Sequence, residues 1–263
     1  MEMDIFVVDA FTDQQFKGNS AAVVPVEHWL SAQLMQSIAE ENNLSETAFI
    51  KHVAGNQYEI RWFSPLTEID FCGHATLASA YILFHEFGVL NEIEFITAEV
   101  GTLTVILNQD HEIEMTFPSQ KPEPVAVIPE QLISGLSIKP IEVLRNRQAY
   151  FAILNTEQDV LDVMYESELL KQLAPYDVVV TSTSRKYDFI SRYFWPANGG
   201  DEDPVTGSVH AGLAPYWAEE LNKPSLLAYQ ASSRGGILKC VVLSQHVIVS
   251  GKGVLYMKGR IHI

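Results

Sequence analysis

Basic residues and cysteine are scarce in this sequence, and each shortage excludes a class of protein. Lys and Arg together number 17 against 33 Asp and Glu, so the formal net charge is −16 at pH 7. Nucleic acid and anionic membrane surfaces bind basic patches, so neither is an expected partner. Two cysteines, Cys72 and Cys240, are too few for a disulfide framework or a zinc site. A reducing cytoplasm is the expected location.

Several sequence signals are missing altogether. No run approaches the ~18 apolar residues that span a bilayer, and the acidic start Met1-Glu2-Met3-Asp4 lacks the basic region of a signal peptide. There is no glycine-rich phosphate loop, no Rossmann fingerprint and no Gly-X-Ser-X-Gly nucleophile elbow. The eight histidines are scattered without metal-ligand spacing. The sequence therefore predicts no metal site.

A motif that occurs nearly twice is the most informative feature present. Arg61-Trp62-Phe63-Ser64-Pro65 leads through seven residues to Gly73, and Arg192-Tyr193-Phe194-Trp195-Pro196 leads through ten to Gly207. Each Gly begins an apolar run typical of a helix, so we expect two similar lobes. Helix N-termini carry unpaired N–H groups and about half a positive charge. Lobes packed face to face would direct two such termini at one cleft suited to a substrate carboxylate.

The fold class follows from the order of the predicted elements. Short runs rich in Val and Phe predict strands, and residues 73–87, apolar all round, predict a buried helix. A second helix is predicted from Ser208, kinked at Pro215. Strands and helices do not alternate regularly, which argues against a doubly wound sheet. We therefore predict an α+β protein of two pseudo-symmetric lobes, each a curved, mostly antiparallel sheet or barrel wrapped round a central helix.

A proline-rich segment marks the predicted boundary between the lobes. Residues 118–129 hold four prolines in twelve positions, which is typical of a linker. The predicted N-terminal lobe is residues 1–118, and the predicted C-terminal lobe is residues 119–263.

Three segments together resemble a known family. They are Asn43-Leu44-Ser45-Glu46-Thr47, the run from Arg61 to Thr76, and the run from Asp201 to Ser208. With Phe16-Lys17-Gly18-Asn19 and the stretch from Gln230 to Gly236 in the expected order, the chain resembles the phenazine-biosynthesis isomerase-like (PhzF-like) family, which has the diaminopimelate-epimerase-like fold. The resemblance covers almost the whole chain. It implies a cofactor-free isomerase, a homodimer, and an active site between two lobes.

One residue departs from the family pattern. Ser20 follows Gly18-Asn19 where the family often has Pro. The departure bears on the shape of this loop and leaves the predicted fold unchanged.

Glu46 is the candidate for the chemistry. It begins a predicted strand after a turn, and a partly desolvated carboxylate there would have a raised pKa suited to carrying a proton. On the residues alone, a solvated strand-end glutamate is the simpler interpretation. The resemblance reverses that preference, because the matching position carries the catalytic acid/base.

The resemblance also implies substrate-binding roles for His74 and Asp203. The predicted substrate-binding set further includes Asn19, the helix-start amides of Gly73 and Gly207, and Ser208. Ser208 aligns with His74 across the repeat, although an ordinary N-terminal helix residue is the simpler interpretation. His74 lies just inside a predicted helix N-terminus, where the dipole disfavours imidazolium, so a neutral side chain is expected. A buried structural histidine explains the residue equally well. For Asp203 the alternative is a turn before Pro204. For the two glycines it is turn geometry, which is compatible with amide donation.

Three hypotheses remain for function. The leading one is a cofactor-independent isomerase in which Glu46 moves a proton between carbons of a small carboxylate-bearing substrate. The second is a cysteine-dependent amino-acid epimerase or racemase using Cys72, although the repeat places Thr206 where a second thiol is needed, and Cys240 lies in an apolar run typical of a core. The third is a non-catalytic binding protein. Arg61 and Arg192 are interpreted as structural salt-bridge residues.

Overall fold

The computed structural model describes residues 2–263, which form two compact units. The first unit comprises residues 2–116 and 250–263, and the second comprises Phe117–Val249. The predicted boundary after residue 118 falls next to the observed one. The predicted C-terminal lobe, however, also contained residues 250–263, which belong to the first unit because the last strand of the chain pairs with the first.

The strands are β1 (Glu2–Ala10), β2 (Asn19–Val26), β3 (Glu46–Ala54), β4 (Gln57–Phe63), β5 (Glu68–Ile69), β6 (Glu92–Ile96), β7 (Thr102–Leu107), β8 (Ile113–Pro118), β9 (Glu123–Pro124), β10 (Glu142–Arg145), β11 (Ala149–Ile153), β12 (Asp177–Thr183), β13 (Phe189–Phe194), β14 (Glu202–Asp203), β15 (Ser225–Gln230), β16 (Gly236–Val242), β17 (His246–Gly251) and β18 (Gly253–His262). The α-helices are α1 (Ala32–Asn42), α2 (Gly73–His85), α3 (Glu130–Ser134), α4 (Glu157–Asp162), α5 (Ser167–Leu170) and α6 (His210–Glu220). Among residues 2–263, no helix has the length and apolar character needed to cross a membrane.

The two units repeat one sheet topology. In the first unit the strand order is β18-β1-β2-β3-β4-β6-β7, and in the second it is β9-β10-β11-β12-β13-β15-β16. In both, successive pairings are antiparallel, antiparallel, parallel, antiparallel, parallel and antiparallel. The near-repeat in the sequence is therefore a repeat of structure, as predicted, and the sheets are mostly antiparallel.

A matching arginine pair closes the same hairpin in each unit. Arg61 on β4 donates from Nε and Nη2 to the two carboxylate oxygens of Glu68 at 2.6 Å each. Arg192 on β13 does the same to Glu202 at 2.8 and 3.0 Å. Two parallel N–H···O bonds fix the geometry of the strand end more firmly than one. The structural interpretation of both arginines is confirmed.

Helix α2 is the buried helix of the first unit. Nearly every residue from Gly73 to Phe84 is buried, and the helix contacts β1, β2, β3 and β18. Helix α1 packs on the opposite face of the sheet, where Met35 and Ile38 join Val24 and Phe49 in one apolar cluster. An apolar helix is stable only when protein covers its whole circumference, and here the curved sheet supplies that cover.

Helix α6 is its counterpart in the second unit. It begins at His210, two residues later than predicted, because residues 207–209 form a turn. Its indole donor Trp217 Nε1 bonds to Thr181 Oγ1 of β12 at 2.9 Å. Pro215 lies inside the helix and is buried. Helices α3, α4 and α5 contribute to a separate apolar cluster with β10–β13. Helices α3 and α4 were not predicted from the sequence.

Candidate functional site

The first-unit site lies where β2, β3 and α2 begin. Strands β2 and β3 are parallel neighbours, and Ala21 pairs with Glu46. Phe49 packs toward α1, and side chains alternate along a strand. Glu46 therefore lies on the opposite face, the one toward α2. The alternation explains how a strand-end glutamate becomes buried rather than solvated.

Gly18 sets the start of β2. Its φ is +65°, and a Cβ added there would lie 2.1 Å from the carbonyl oxygen of Ala10. Only glycine lets the chain pass so close, which brings Asn19 into register with Ala10 at the end of β1.

Ser20 is the departure from the family pattern, and it has a structural role. Its hydroxyl donates to Asp9 Oδ1, while Asp9 Oδ2 accepts the backbone N–H of Phe16 at 2.9 Å. Asp9 is itself buried. The loop is thus tied to β1 through a hydroxyl that proline would lack.

Four side chains converge at this point. His74 Nε2 lies 2.8 Å from Glu46 Oε2, and His74 Nδ1 lies 3.1 Å from the amide nitrogen of Asn19. Cys72 Sγ lies 3.4 Å from the same Nδ1. All four residues are at least nine-tenths buried. The structure therefore brings the predicted Asn19, Glu46 and His74 together and adds Cys72.

The charge of His74 differs from the expectation. Burial lowers the pKa of this imidazole, but Cys72 and the Glu46 carboxylate raise it, and the net pKa is well above its ordinary value. The predicted neutral His74 is therefore not what the structure favours. The helix dipole that motivated that prediction is a partial charge, and it is outweighed by contact with groups that can carry a full negative charge.

Cys72 is a poor base in this setting. Burial raises its pKa to about 11, and Glu46 adds to the rise. The thiol is therefore neutral near pH 7, which disfavours the cysteine-dependent alternative. Cys240 is fully buried in β16, and burial raises its pKa further still. Cys240 is the core thiol that its apolar run predicted.

Gly73 begins α2 as predicted. Thr76 donates to the carbonyl of Cys72 from both its backbone N–H, at 3.0 Å, and its hydroxyl, at 2.6 Å. The first N–H groups of a helix have no acceptor within the helix. The start of α2 is thus anchored and supplies amide donors beside the Glu46 carboxylate.

The second-unit candidates lie in the loop between β14 and α6. Asp203 Oδ2 accepts the hydroxyl of Thr206. The buried Gln230 holds this loop with three hydrogen bonds: its Oε1 accepts Thr206 N–H at 2.9 Å, and its Nε2 donates to Asp203 O at 2.9 Å and Thr206 Oγ1 at 3.2 Å. Gly207 lies in the following turn. The loop conformation is thus fixed by one amide side chain.

Ser208 is held by residues that sequence reasoning did not identify. Gln148 Nε2 lies 3.0 Å from both Ser208 Oγ and Tyr193 OH. Tyr193 donates in turn to Asp177 Oδ2 at 2.6 Å. No local motif marks Gln148, Tyr193 or Asp177, since they come from three separate strands or turns. The binding roles of Asp203, Gly207 and Ser208 stay predictions.

Known proteins match this chain over almost its whole length. A family model described as phenazine biosynthesis-like protein matches residues 8–259. An uncharacterized isomerase of Pseudomonas aeruginosa is 44% identical over 263 residues, with 100% of both chains covered. The crystal structure of a PhzF-family phenazine biosynthesis protein from Enterococcus faecalis has a TM-score of 0.95 at 41% identity, with 100% of both chains covered. A hydroxyproline epimerase from Agrobacterium vitis, at 12% identity and a TM-score of 0.58 over 99% of this chain and 92% of that chain, shares the fold. The predicted epimerase-like α+β fold is confirmed.

Proposed function

Because the chain belongs to the phenazine biosynthesis-like (PhzC-PhzF) family, we propose that it is a cofactor-independent isomerase that moves a proton between carbons of a small carboxylate-bearing substrate. The observation that carries the proposal is the 2.8 Å contact between Glu46 Oε2 and His74 Nε2 in a nearly buried site. A relative 44% identical to this chain over its full length is named an isomerase, which supports the reaction class.

Glu46 is the proton carrier. Its carboxylate takes a proton from a substrate carbon activated by a neighbouring double bond or carboxylate, and the electron pair of that C–H bond passes into the substrate. The resulting carboxylic acid returns the proton to another carbon on the same face. Holding this carboxylate against the reacting carbon contributes much of the rate enhancement, because proton removal from carbon needs a close and fixed geometry.

His74 stabilises the charge that develops during the transfer. An imidazolium 2.8 Å from Glu46 places positive charge where negative charge moves between carboxylate and substrate. The amide of Asn19 holds the other ring nitrogen, and it can present its oxygen to a protonated Nδ1. The histidine is therefore oriented from both sides.

The N–H groups at the start of α2, beginning with Gly73, are the proposed donors to a substrate carboxylate. A helix N-terminus supplies both unpaired donors and favourable potential for an anion. In the second unit, Asp203, Gly207 and Ser208 are proposed to bind polar groups of the substrate. Their support is the network through which Gln230 and Gln148 fix the side chains and backbone of that loop.

Solvent deuterium exchange tests the proposal. The enzyme is incubated in D2O with a panel of small unsaturated and amino carboxylic acids, and carbon-bound deuterium is measured by NMR and mass spectrometry. We expect exchange with at least one compound, and a loss of at least about a hundredfold in Glu46→Gln. Thermal shifts should show that this variant still binds the same compound.

Near-wild-type exchange in Glu46→Gln would remove the residue from the mechanism, and the absence of exchange across the panel would favour a binding protein. The homodimer implied by the family is a separate proposal, and light scattering of the purified protein tests it.

A further inference from the structure

Asp177 occupies in the second unit the position that Glu46 occupies in the first. Each is the first residue of its strand, β12 or β3. The register aligns them, because the next residue of each strand pairs with the Phe of the repeated Arg-aromatic-Phe motif. Both residues are buried. The structural repeat therefore gives each unit one buried carboxylate at the start of the corresponding strand.

The carboxylate of the second unit has different partners. Glu46 contacts His74 directly, whereas Asp177 accepts the hydroxyl of Tyr193 at 2.6 Å and the side-chain amide of Asn198 at 2.8 Å. An O···O distance of 2.6 Å is typical of a hydroxyl that donates to an ionised carboxylate. Burial raises the pKa of Asp177, and both hydrogen bonds oppose that rise. Asp177 is thus the final acceptor of a hydrogen-bond chain.

The direction of every bond in the chain follows from this acceptor. Tyr193 has one O–H, which it donates to Asp177, so its oxygen accepts from Gln148 at 3.0 Å. The hydrogen-bond network therefore assigns the amide nitrogen Nε2 of Gln148, and not its carbonyl oxygen, to this contact. The second N–H of Nε2 is donated to Ser208 Oγ, also at 3.0 Å. Ser208 accepts from Gln148, and its own O–H can donate to a different group.

We propose that Gln148 is a positioning residue that fixes Ser208 as a hydrogen-bond donor toward the substrate. The substrate group bound there is then an acceptor oxygen, of a carboxylate or a carbonyl, and an ammonium group does not suit the position because it can only donate. Ser208 is half-buried, so a small molecule can reach its hydroxyl. The polarity of the substrate group rests on the proposed function, in which Ser208 binds substrate, whereas the orientation of Gln148 does not.

NMR of the side-chain amide tests the orientation without a substrate. In isotope-labelled protein, the Nε2 protons of Gln148 should exchange with solvent at least about tenfold more slowly than those of the exposed Gln172. Tyr193→Phe should shift one of the two proton signals, and Ser208→Ala should shift mainly the other. Exchange as fast as that of Gln172, or signals that respond to neither variant, would overturn the proposal.

Kinetics test whether Gln148 acts through Ser208. The full-length enzyme is assayed with a compound of the panel that shows deuterium exchange. Gln148→Met keeps a neutral side chain of similar length but donates no hydrogen bond, so the Ser208 hydroxyl loses its orientation. We expect KM to rise about fivefold with a smaller change in kcat. The same substitution in a Ser208→Ala background should change KM by less than about twofold. Gln172→Met is the matched control on the surface of the same unit.

Equal effects on KM with and without the Ser208 hydroxyl would contradict the positioning role. Should Gln148→Met fail to fold, Tyr193→Phe replaces it, and its smaller rise in KM should also disappear in Ser208→Ala. The polarity is checked in a crystal structure of Glu46→Gln with the same compound bound. We expect a substrate oxygen within about 3.2 Å of Ser208 Oγ, and an ammonium nitrogen there would refute the acceptor.

Failure of this role and failure of the proposed function give different results. Deuterium exchange in the wild type together with an unchanged KM in Gln148→Met would refute the role of Gln148 alone. If no compound exchanges, the proposed function fails and the substrate polarity fails with it, while the amide NMR still decides the orientation of Gln148.

Discussion

His74 and Glu46 form a buried ion pair across two elements that are distant in the sequence, with Nε2 of the ring 2.8 Å from Oε2 of the carboxylate. The ring belongs to the first turn of α2, where the helix dipole by itself opposes positive charge. The carboxylate belongs to the first residue of β3. The contact reverses the electrostatic preference of the helix terminus, and the charge of His74 therefore depends on Glu46.

The titration of His74 tests that dependence. Because its pKa is raised well above the ordinary value, we expect NMR of the protein to show a ring protonated at both nitrogens at pH 7. In Glu46→Gln a major opposing charge is gone and burial favours the neutral ring, so the pKa should fall. Cys72→Ala removes the other group that raises this pKa, so its titration shows how much of the rise remains with the carboxylate alone. The same His74 titration in wild type and Glu46→Gln would contradict the ion pair.

The pair also makes a pH-dependent contribution to stability. A folded-state pKa raised above the unfolded value stabilises the protein below the unfolded pKa, near 6.5, and this contribution is lost as pH rises through the folded value. The unfolding free energy of the wild type should therefore decrease as pH rises through the folded-state pKa of His74. In Glu46→Gln this decrease should be smaller, because the ion pair is absent.

Gly18→Ala is expected to destabilise the first unit strongly. The left-handed backbone alone costs an L-residue about 1 to 2 kcal/mol, and the new Cβ would also lie 2.1 Å from Ala10 O and 2.8 Å from Thr12 Cγ2. Gly55→Ala is the matched control, since its φ is +56° but no atom lies within 4 Å of the added Cβ. Urea unfolding should show a loss for Gly18→Ala that clearly exceeds that for Gly55→Ala. Equal losses would mean that the close approach is relieved by movement of the loop.

Gln230→Ala is expected to disturb both stability and binding in the second unit. It leaves the partly buried Thr206 N–H without its acceptor and removes the donor to Asp203 O, at a cost of about 1 to 2 kcal/mol. If Asp203 binds substrate, KM should rise. Gln172→Ala, which truncates an exposed amide bonded to Glu168 O, is the control. A stability loss with unchanged KM would separate the Asp203 loop from substrate binding.

The sequence predicted those elements best whose secondary structure is set by their own residues. Gly73 begins a helix that is apolar all round, and the apolar run from this residue was enough to predict it. The short helices α3 and α4 were missed because five or six residues show too little periodicity to identify a helix. Strand β18 was assigned to the wrong lobe because strand pairing between chain ends leaves no local signal.

The candidate site likewise has features that the sequence predicts and features that it does not. Family motifs identified Glu46, His74 and Asn19, but not the charge of the histidine, which is set by a contact between residues far apart in the sequence. Gln148 carried no motif and has a role only because β11 begins beside Ser208. Roles that depend on side-chain hydrogen bonds between separate elements are visible only in the folded protein.

His210 offers a second, independent test of buried-histidine electrostatics through acid stability. It is fully buried at the start of α6, and its Nδ1 donates to Thr206 O at 2.8 Å. Burial lowers its pKa to about 4, although the hydrogen bond opposes the shift. Between about pH 6.5 and pH 4, His210 is protonated in the unfolded chain but stays neutral in the folded protein. Unfolding free energy should therefore fall with pH by about 3 kcal/mol over that range from this residue.

Urea unfolding of His210→Asn across this pH range measures the effect. Asparagine keeps an N–H donor near Thr206 but cannot titrate, so the variant is expected to be less stable at pH 7 and to lose less stability on acidification. The exposed His246→Asn variant provides the control for removing one histidine. If the unfolding free energy falls with the same slope below pH 6.5 in His210→Asn and in the wild type, the prediction is wrong. His210 would then bind a proton in the folded protein, and its burial would not oppose the charge.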